Sequence, residues 1–236
     1  MIPADISPLE TRQFHLLIRR SGAHPDAFKL RKFRYLSGKG YKVRVVGRGA
    51  ATVYDTEDAT SWMGHFAQDV EKGLFGTDVG GAELDAPLAA ALAEVEKALA
   101  QRGLAGALAV LNQRVPHRFT ALYRRVGQAL HNLATADKYL HLDALDLRVV
   151  PLKDSYCQFV LRDGLFVTQE SGDDTRLQGH PYSGIVGSYV GVPVRDRAGA
   201  VAGTLCHFDL ASHEVPDDEY LLLDRAARLM TAFLAP

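Results

Sequence analysis

The chain has 236 residues, a net charge of -1 and a hydrophobic fraction of 47%, which together exclude a disordered, collagen-like or membrane-spanning protein. Its N-terminus lacks the charged start and apolar middle of a signal peptide, so we expect a cytoplasmic protein that does not insert into a membrane. The length predicts two domains, and two cysteines without metal-site spacing predict neither a disulfide scaffold nor a bound metal.

The first 80 residues predict a small basic domain built from an antiparallel β-sheet and one helix. Apolar and polar residues alternate in four runs that are bounded by glycine-containing turns, as they do in strands. These predicted strands cover residues 12–20, 28–36, 41–46 and 51–54. Over residues 62–74, apolar side chains recur at spacings of three and four, which predicts an amphipathic helix that covers the sheet.

This predicted sheet is the source of a marked charge asymmetry. Residues 11–54 carry eleven lysines and arginines against a single acid, Asp26. Arg31, Lys42 and Arg44 alternate with apolar residues, so we expect one cationic and one apolar sheet face. A cationic face suits phosphate contacts with nucleic acid, docking onto a partner or onto the more acidic second domain, or solvation alone. The sequence leaves these three interpretations open.

Beyond a boundary predicted within residues 75–84, residues 83–236 predict a second domain that mixes helices and strands. The predicted helices cover residues 88–102, 104–112 and 155–161, and the chain after Pro216. The predicted strands cover residues 119–123, 129–135, 165–169, 187–195 and 200–209. Gly103 separates the first two helices, and Ser155 with Gln158 is predicted to form a capping box at the third. This order predicts an α+β fold with one antiparallel sheet flanked by helices.

Several stretches of the second domain resemble GAF domains, the small-molecule-sensing relatives of PAS domains. They are RFTALYR at residues 118–124, DSYC at 154–157, DDTR at 173–176, SYVGVPV at 188–194 and GTLCHFD at 203–209. The resemblance implies a six-stranded antiparallel sheet with a ligand pocket between one sheet face and the internal helix. It also implies that the first and last helices lie on the other face and often pair two subunits. It identifies no ligand or cofactor, and it does not cover residues 1–80.

Nine residues are candidate ligand-binding positions in the implied pocket. They are Tyr156, Cys157, Gln169, Asp173, Asp174, Arg176, His180, Tyr189 and Cys206. Each has a structural alternative, because buried thiols pack as small apolar groups and loop carboxylates beside an arginine form local ion pairs and caps. Cys206 and His207 are neighbours on a predicted strand, so their side chains point to opposite faces and cannot easily meet one metal ion.

Cys157 also suggests a role in redox chemistry. A thiol at the start of a helix has a lowered pKa and raised reactivity. If that helix folds over the last predicted strand, Cys157 and Cys206 come close enough for redox chemistry. The alternative is that both thiols serve packing alone.

The leading hypothesis is a non-enzymatic sensory regulator of bacterial type. It would bind an unidentified small molecule and form a homodimer through the helices at residues 88–99 and 223–233. No phosphate-binding loop, dinucleotide fingerprint or Ser/His/Asp motif is present, which argues against an enzyme. One alternative is a nucleic-acid-binding regulator that uses residues 11–54, and a second is a thiol-based redox sensor or enzyme.

Overall fold

The structure is a computed structural model that describes residues 1–56, 61–76, 83–139 and 147–234. The chain separates into two compact units, which are Met1–Glu83 with Arg162–Gly164, and Leu84–Leu161 with Leu165–Pro236. Residues 77–82 of the predicted boundary lie outside the described ranges. Every helix in those ranges is too short or too polar to cross a bilayer.

The first unit is a four-stranded antiparallel sheet packed against helices. In spatial order the strands are β1 (Ile2–Ala4), β2 (Phe28–Arg34), β3 (Tyr41–Gly47) and β4 (Ala50–Asp55). The helices are α1 (Pro8–Arg20) and α2 (Trp62–Glu71). Their buried aromatic rings form one cluster with the sheet, in which Phe14 lies 4.8 Å from Phe66 and 6.3 Å from Phe28. The sequence did not predict β1.

The strand predicted over residues 12–20 is wrong, because this segment is helix α1. Ser7 and Glu10 form a capping box, in which the Ser7 hydroxyl accepts from the Glu10 amide at 3.1 Å and the Glu10 carboxylate accepts from the Ser7 amide at 3.2 Å. Pro8 occupies the first helical position, where its missing N–H costs nothing. The first unit therefore contains α1 in addition to the one predicted helix.

The second unit contains a six-stranded antiparallel sheet of spatial order β7-β6-β5-β10-β9-β8, which confirms the fold class that the sequence predicts. Its strands are β5 (Phe119–Val126), β6 (Ala129–Asp137), β7 (Val149–Pro151), β8 (Phe166–Thr168), β9 (Ser188–Arg195) and β10 (Val201–Asp209). Its helices are α3 (Ala86–Gln113), α4 (Cys157–Asp163) and α5 (Asp217–Leu229). The predicted break at Gly103 is confirmed, since that residue has φ 66° and ψ -163° inside α3.

The two faces of this sheet pack against different helices. Cys206 of β10 and Tyr156 beside α4 belong to one buried cluster. On the other face, Gly203 lies against the side chain of Leu234, and α3 and α5 contact the strands there. Alternation along β10 thus directs its odd- and even-numbered side chains to separate environments.

A chain of hydrogen bonds joins the end of α3 to β10 on this second face. The Asn112 amide donates to Thr120 Oγ1 at 3.0 Å, and Thr120 Oγ1 lies 2.7 Å from His207 Nδ1. Burial, followed by the neighbouring His117, lowers the pKa of His207 to about 3. Burial, followed by His213, lowers the pKa of His117 to about 4. Both imidazoles are therefore neutral in the folded protein at pH 7.

Candidate functional site

A cavity of about 240 Å³ lies on the α4 face of the six-stranded sheet. Its interior is formed by buried aromatic rings and thiols from β5, β9, β10 and the start of α4, which are Tyr123, Tyr156, Cys157, Tyr189, Cys206 and Phe208. Its rim includes exposed apolar side chains, among them Val149 at 51% and Ile185 at 56% exposure. Apolar groups thus surround the mouth of the cavity, and the two thiols lie in its buried wall.

The charge of the lining restricts what the cavity can hold. The described lining residues include no lysine, arginine or histidine, and Asp154 is their one carboxylate. An anionic ligand would lose its hydration there without gaining a cationic partner, which is costly. Its neutral polar groups include the hydroxyls of tyrosines and Ser155, and those of Tyr156 and Tyr189 already donate to the Tyr182 carbonyl and to Cys157. The cavity therefore suits a small, uncharged and mainly apolar molecule.

Polar hydrogens converge on Cys157 at the buried end of the cavity. The Tyr189 hydroxyl donates to Cys157 Sγ at 3.2 Å and the Thr204 hydroxyl donates to it at 3.1 Å. The neighbouring Cys206 makes the largest contribution to lowering the pKa of Cys157, to about 6, against the opposing effect of burial. Burial raises the pKa of Cys206 well above its ordinary value. The pair is thus asymmetric, because its surroundings favour the thiolate at Cys157 and the protonated thiol at Cys206.

Gly191 makes this arrangement possible. It pairs with Cys206 across β9 and β10, and the Tyr189 ring lies over it. A Cβ at this position would be 2.4 Å from Tyr189 Oη, so only glycine lets the phenol lie here. Burial and the nearby Cys157 raise the pKa of Tyr189, which keeps its proton available for donation.

Four of the nine predicted pocket residues line the cavity, and five do not. Those in the lining are Tyr156, Cys157, Tyr189 and Cys206. Asp174 and Arg176 instead form a local ion pair at 2.6 Å. Asp174 caps a 3-10 turn by accepting from the Arg176 amide, and the Arg176 guanidinium lies 4.5 Å above the Phe166 ring. These two side chains are occupied with each other and with the fold.

The other three candidates also lie away from the lining. Asp173 is exposed and Gln169 is half-buried. His180 packs with its ring 4.8 Å from that of Tyr156 and bonds through Nε2 to the Gln158 amide at 3.2 Å. The predicted capping box is wrong, because the Ser155 N–H donates to the Leu152 carbonyl at 3.2 Å and the Ser155 hydroxyl accepts from the Cys157 amide at 3.2 Å.

Sequence reasoning missed three residues that shape the site, namely Tyr123, Thr204 and Gly191. Two of them could have been predicted from the alternation of side chains along a strand. Thr204 shares a strand face with Cys206, and Tyr123 lies on a predicted strand. The role of Gly191 depends on the orientation of the Tyr189 side chain, whose ring lies over the residue two positions further along β9.

A second candidate surface is the sheet face of the first unit that carries Arg31, Lys42 and Arg44. Arg31 and Arg44 are exposed and lie directly opposite each other on β2 and β3. Like charges in this position repel. Lys42 has a carboxylate partner in Asp55, at 3.6 Å. Lys32 points to the other face, where it bonds Glu10 at 2.8 Å, so the cationic face holds fewer charges than the sequence suggests.

Comparison with solved structures identifies similar folds. The GAF domain of a phosphoenolpyruvate-protein phosphotransferase from Acinetobacter is 14% identical over 64% of this chain and 94% of that chain, with a TM-score of 0.52. The GAF domain of a phosphoenolpyruvate-protein phosphotransferase from Coxiella burnetii is 15% identical over 61% and 90%, with a TM-score of 0.50. Free methionine-R-sulfoxide reductase from Neisseria meningitidis is 16% identical over 64% and 91%, with a TM-score of 0.49. No protein-family model and no curated protein matches the sequence.

The first two similarities establish a fold. The second unit, with its six-stranded antiparallel sheet and helices, has the GAF fold that the sequence motifs implied. A shared fold at such identities assigns no activity, because unrelated functions occupy the same scaffold. The chemistry of the cavity must therefore carry any functional proposal.

Proposed function

We propose that the second unit is a non-enzymatic sensory domain that binds a small, uncharged, mainly apolar molecule in the cavity beside α4. The observation that carries this proposal is the lining, in which aromatic rings and aliphatic rim residues surround buried hydroxyls and thiols without a cationic side chain among the described residues. The GAF fold supports it as an analogy of architecture.

The proposal is tested with two dyes that share one ring system and differ in charge. Phenylnaphthylamine is neutral, whereas anilinonaphthalene sulfonate carries an anionic group. We expect the neutral dye to bind about tenfold or more tightly in the cavity, because the sulfonate would be desolvated without a cation. Fluorescence titration of the full chain measures both affinities.

A filled cavity separates specific binding from binding elsewhere. Val186→Trp places an indole in the lining, and Val126→Trp makes the same change at the exposed turn between β5 and β6. We assign to the cavity the part of the neutral-dye fluorescence that is lost in the Val186→Trp variant and kept in the Val126→Trp variant. Equal binding by the two variants, or tighter cavity binding of the sulfonate, contradicts the proposal.

The first unit has a second candidate function, which is binding to the phosphates of nucleic acid. The observation that favours it is the direct cross-strand pairing of Arg31 with Arg44, which costs stability unless an anion lies between them. Arginine side chains on an exposed sheet face suit backbone phosphates. Salt-dependent binding of duplex DNA tests this function.

Homodimerisation stays a prediction. The apolar stripes on which it was based supply the core of the protomer, since Leu88, Val95 and Leu223 are at most 7% exposed within one chain. Helix α5 ends at Leu229, before the predicted end at residue 233, and a 3-10 turn (Thr231–Leu234) follows it. A dimer through these elements would use the apolar side chains that stay exposed, including Phe233 of this turn at 40% exposure.

A further inference from the structure

Both cysteines of the chain line the cavity, and their surroundings differ. Cys157 Sγ accepts hydrogen bonds from the hydroxyls of Tyr189 and Thr204. Cys206 Sγ has a weaker polar contact, to the Ala121 carbonyl at 3.7 Å. Hydroxyl donors stabilise the negative charge of a thiolate, and a thiolate is the nucleophilic form of cysteine.

Neither thiol is exposed at the outer surface, since Cys157 is 2% and Cys206 is 0% exposed. Both lie in the wall of the cavity, so a reagent that oxidises them must enter through its apolar rim. This route favours small uncharged oxidants over charged ones for the same reason that it favours uncharged ligands. Cys206 is also the largest influence on the pKa of Cys157, so the two thiols are neighbours.

We propose that Cys157 and Cys206 form a redox sensor in which a small uncharged hydroperoxide oxidises Cys157 and Cys206 resolves the product as an intramolecular disulfide. This inference uses the cavity of the proposed function but replaces passive binding by a single, stoichiometric oxidation. It assigns a modification site to the two thiols and different roles to each.

The reaction balances with the hydroperoxide as the only oxidant. The Cys157 thiolate attacks the terminal peroxide oxygen, the O–O bond breaks, and Cys157 becomes a sulfenic acid. The alkoxide that leaves takes a proton from water and departs as an alcohol. The Cys206 thiol then attacks the sulfenic sulfur, the S–S bond forms, and the released hydroxide leaves with the Cys206 proton as water. An external dithiol returns the disulfide to two thiols.

Disulfide formation also changes the polar groups of the cavity. The hydroxyls of Tyr189 and Thr204 lose a thiolate as their acceptor and face a neutral sulfur instead. Both hydroxyls must then find another acceptor or a bound molecule. Oxidation is thereby coupled to the binding properties of the cavity.

The test treats the reduced full-length protein with tert-butyl hydroperoxide and follows intact mass and free thiols. We expect the wild type to lose two hydrogens and both thiols, reversibly with dithiothreitol. Cys206→Ser should stop at a Cys157 sulfenic acid that dimedone traps, and Cys157→Ser should leave Cys206 reduced. A wild type that keeps both thiols, or a Cys157→Ser variant that is oxidised at the wild-type rate, overturns the proposal.

Two variants that keep both thiols test the proposal even where replacing a cysteine prevents folding. Tyr189→Phe and Thr204→Val each remove one donor to Cys157, so the pH midpoint of the oxidation rate should rise by about one to two pH units. The matched controls Tyr54→Phe and Thr168→Val remove buried hydroxyls outside the cavity lining and should leave the midpoint unchanged. Equal midpoints in all four variants overturn the assignment of Cys157 as the thiolate.

The neutral dye distinguishes this proposal from the proposed function. Bound phenylnaphthylamine should slow the oxidation of Cys157 by occupying the route to it. If the dye binds and the thiols stay reduced, the redox proposal fails while the ligand site stands. If the thiols are oxidised to a disulfide without dye binding, the ligand proposal fails while the redox site stands.

Discussion

Replacing Gly191 by alanine tests how the sheet positions the Cys157 thiolate. The new Cβ would lie 2.4 Å from Tyr189 Oη, 2.7 Å from Cε1 and 2.8 Å from Cζ. The obstructing atoms belong to a rigid ring that is 4% exposed, so the ring must move by several tenths of an ångström or more. Such a shift breaks the hydrogen bond from Tyr189 to Cys157 at 3.2 Å.

The expected loss of stability combines two effects. Overpacking a filled site costs roughly 1–3 kcal/mol, and a hydrogen bond to a charged acceptor contributes about 1.5–3 kcal/mol. Because a displaced phenol finds water or another acceptor in part, we expect a net destabilisation of about 3 kcal/mol. For a protein of this size that corresponds to a fall of roughly 6–12 °C in melting temperature.

The assays are thermal unfolding followed by circular dichroism and the pH dependence of Cys157 alkylation by iodoacetamide. The alkylation midpoint should move upward from about 6, since the thiolate loses one donor. Gly172→Ala is the control, because its Cβ would meet its neighbours at 3.5 Å or more. A Gly191→Ala protein that melts with the wild type and keeps its alkylation midpoint refutes this account of the site.

Three further predictions concern other parts of the protein. Lowering the pH from 7 to 5.5 should destabilise the second unit by about 2 kcal/mol, measured by chemical denaturation. His117 and His207 stay neutral in the folded protein, whereas in the unfolded chain they take up protons below about pH 6.5. A stability that stays constant over this range contradicts their burial as neutral groups. Arg31→Ala with Arg44→Ala should reduce the salt dependence of duplex DNA binding by about two released cations in fluorescence anisotropy, and absence of binding at roughly 50 mM salt removes the nucleic-acid function. Light scattering should give a dimer at tens of micromolar that Phe233→Asp dissociates, whereas a wild-type monomer ends the dimer prediction.

Local patterns predicted five of the six strands of the second sheet and its helices, whereas the short strand β7 was missed and a sixth strand was implied only by the resemblance to GAF domains. The strands around Gly191 and Cys206 are apolar runs bounded by turn residues, and Gly103 marks the break in α3. Helix α1 was missed because Phe14 and Leu16 alternate with polar neighbours over a short window. The signal that decides between helix and strand lay upstream, in the Ser7–Glu10 capping box.

The candidate site was only partly predictable, because its geometry depends on tertiary packing. That Cys157 lies near Cys206 follows from how α4 crosses the sheet, which no local pattern states. Arg176 was predicted to line the pocket because of the loop in which it lies. Its guanidinium instead forms an ion pair with Asp174, two residues earlier in the chain. The sequence had offered this ion pair as the alternative, whereas the pairing of Arg31 with Arg44 became visible only through strand register.

The hydrogen-bond chain from Asn112 through Thr120 to His207 ties the protonation of the imidazole to the direction of one hydroxyl. The Asn112 amide donates to Thr120 Oγ1, and Thr120 Oγ1 lies 2.7 Å from His207 Nδ1. If Nδ1 is bare, it accepts the Thr120 hydrogen. If Nδ1 carries the ring proton, it donates to the second lone pair of Thr120 Oγ1, and the hydroxyl hydrogen turns away. Nitrogen chemical shifts of His207 report which tautomer is present. A proton added to Nδ1 would therefore redirect the Thr120 hydroxyl and leave the Asn112 amide as a donor.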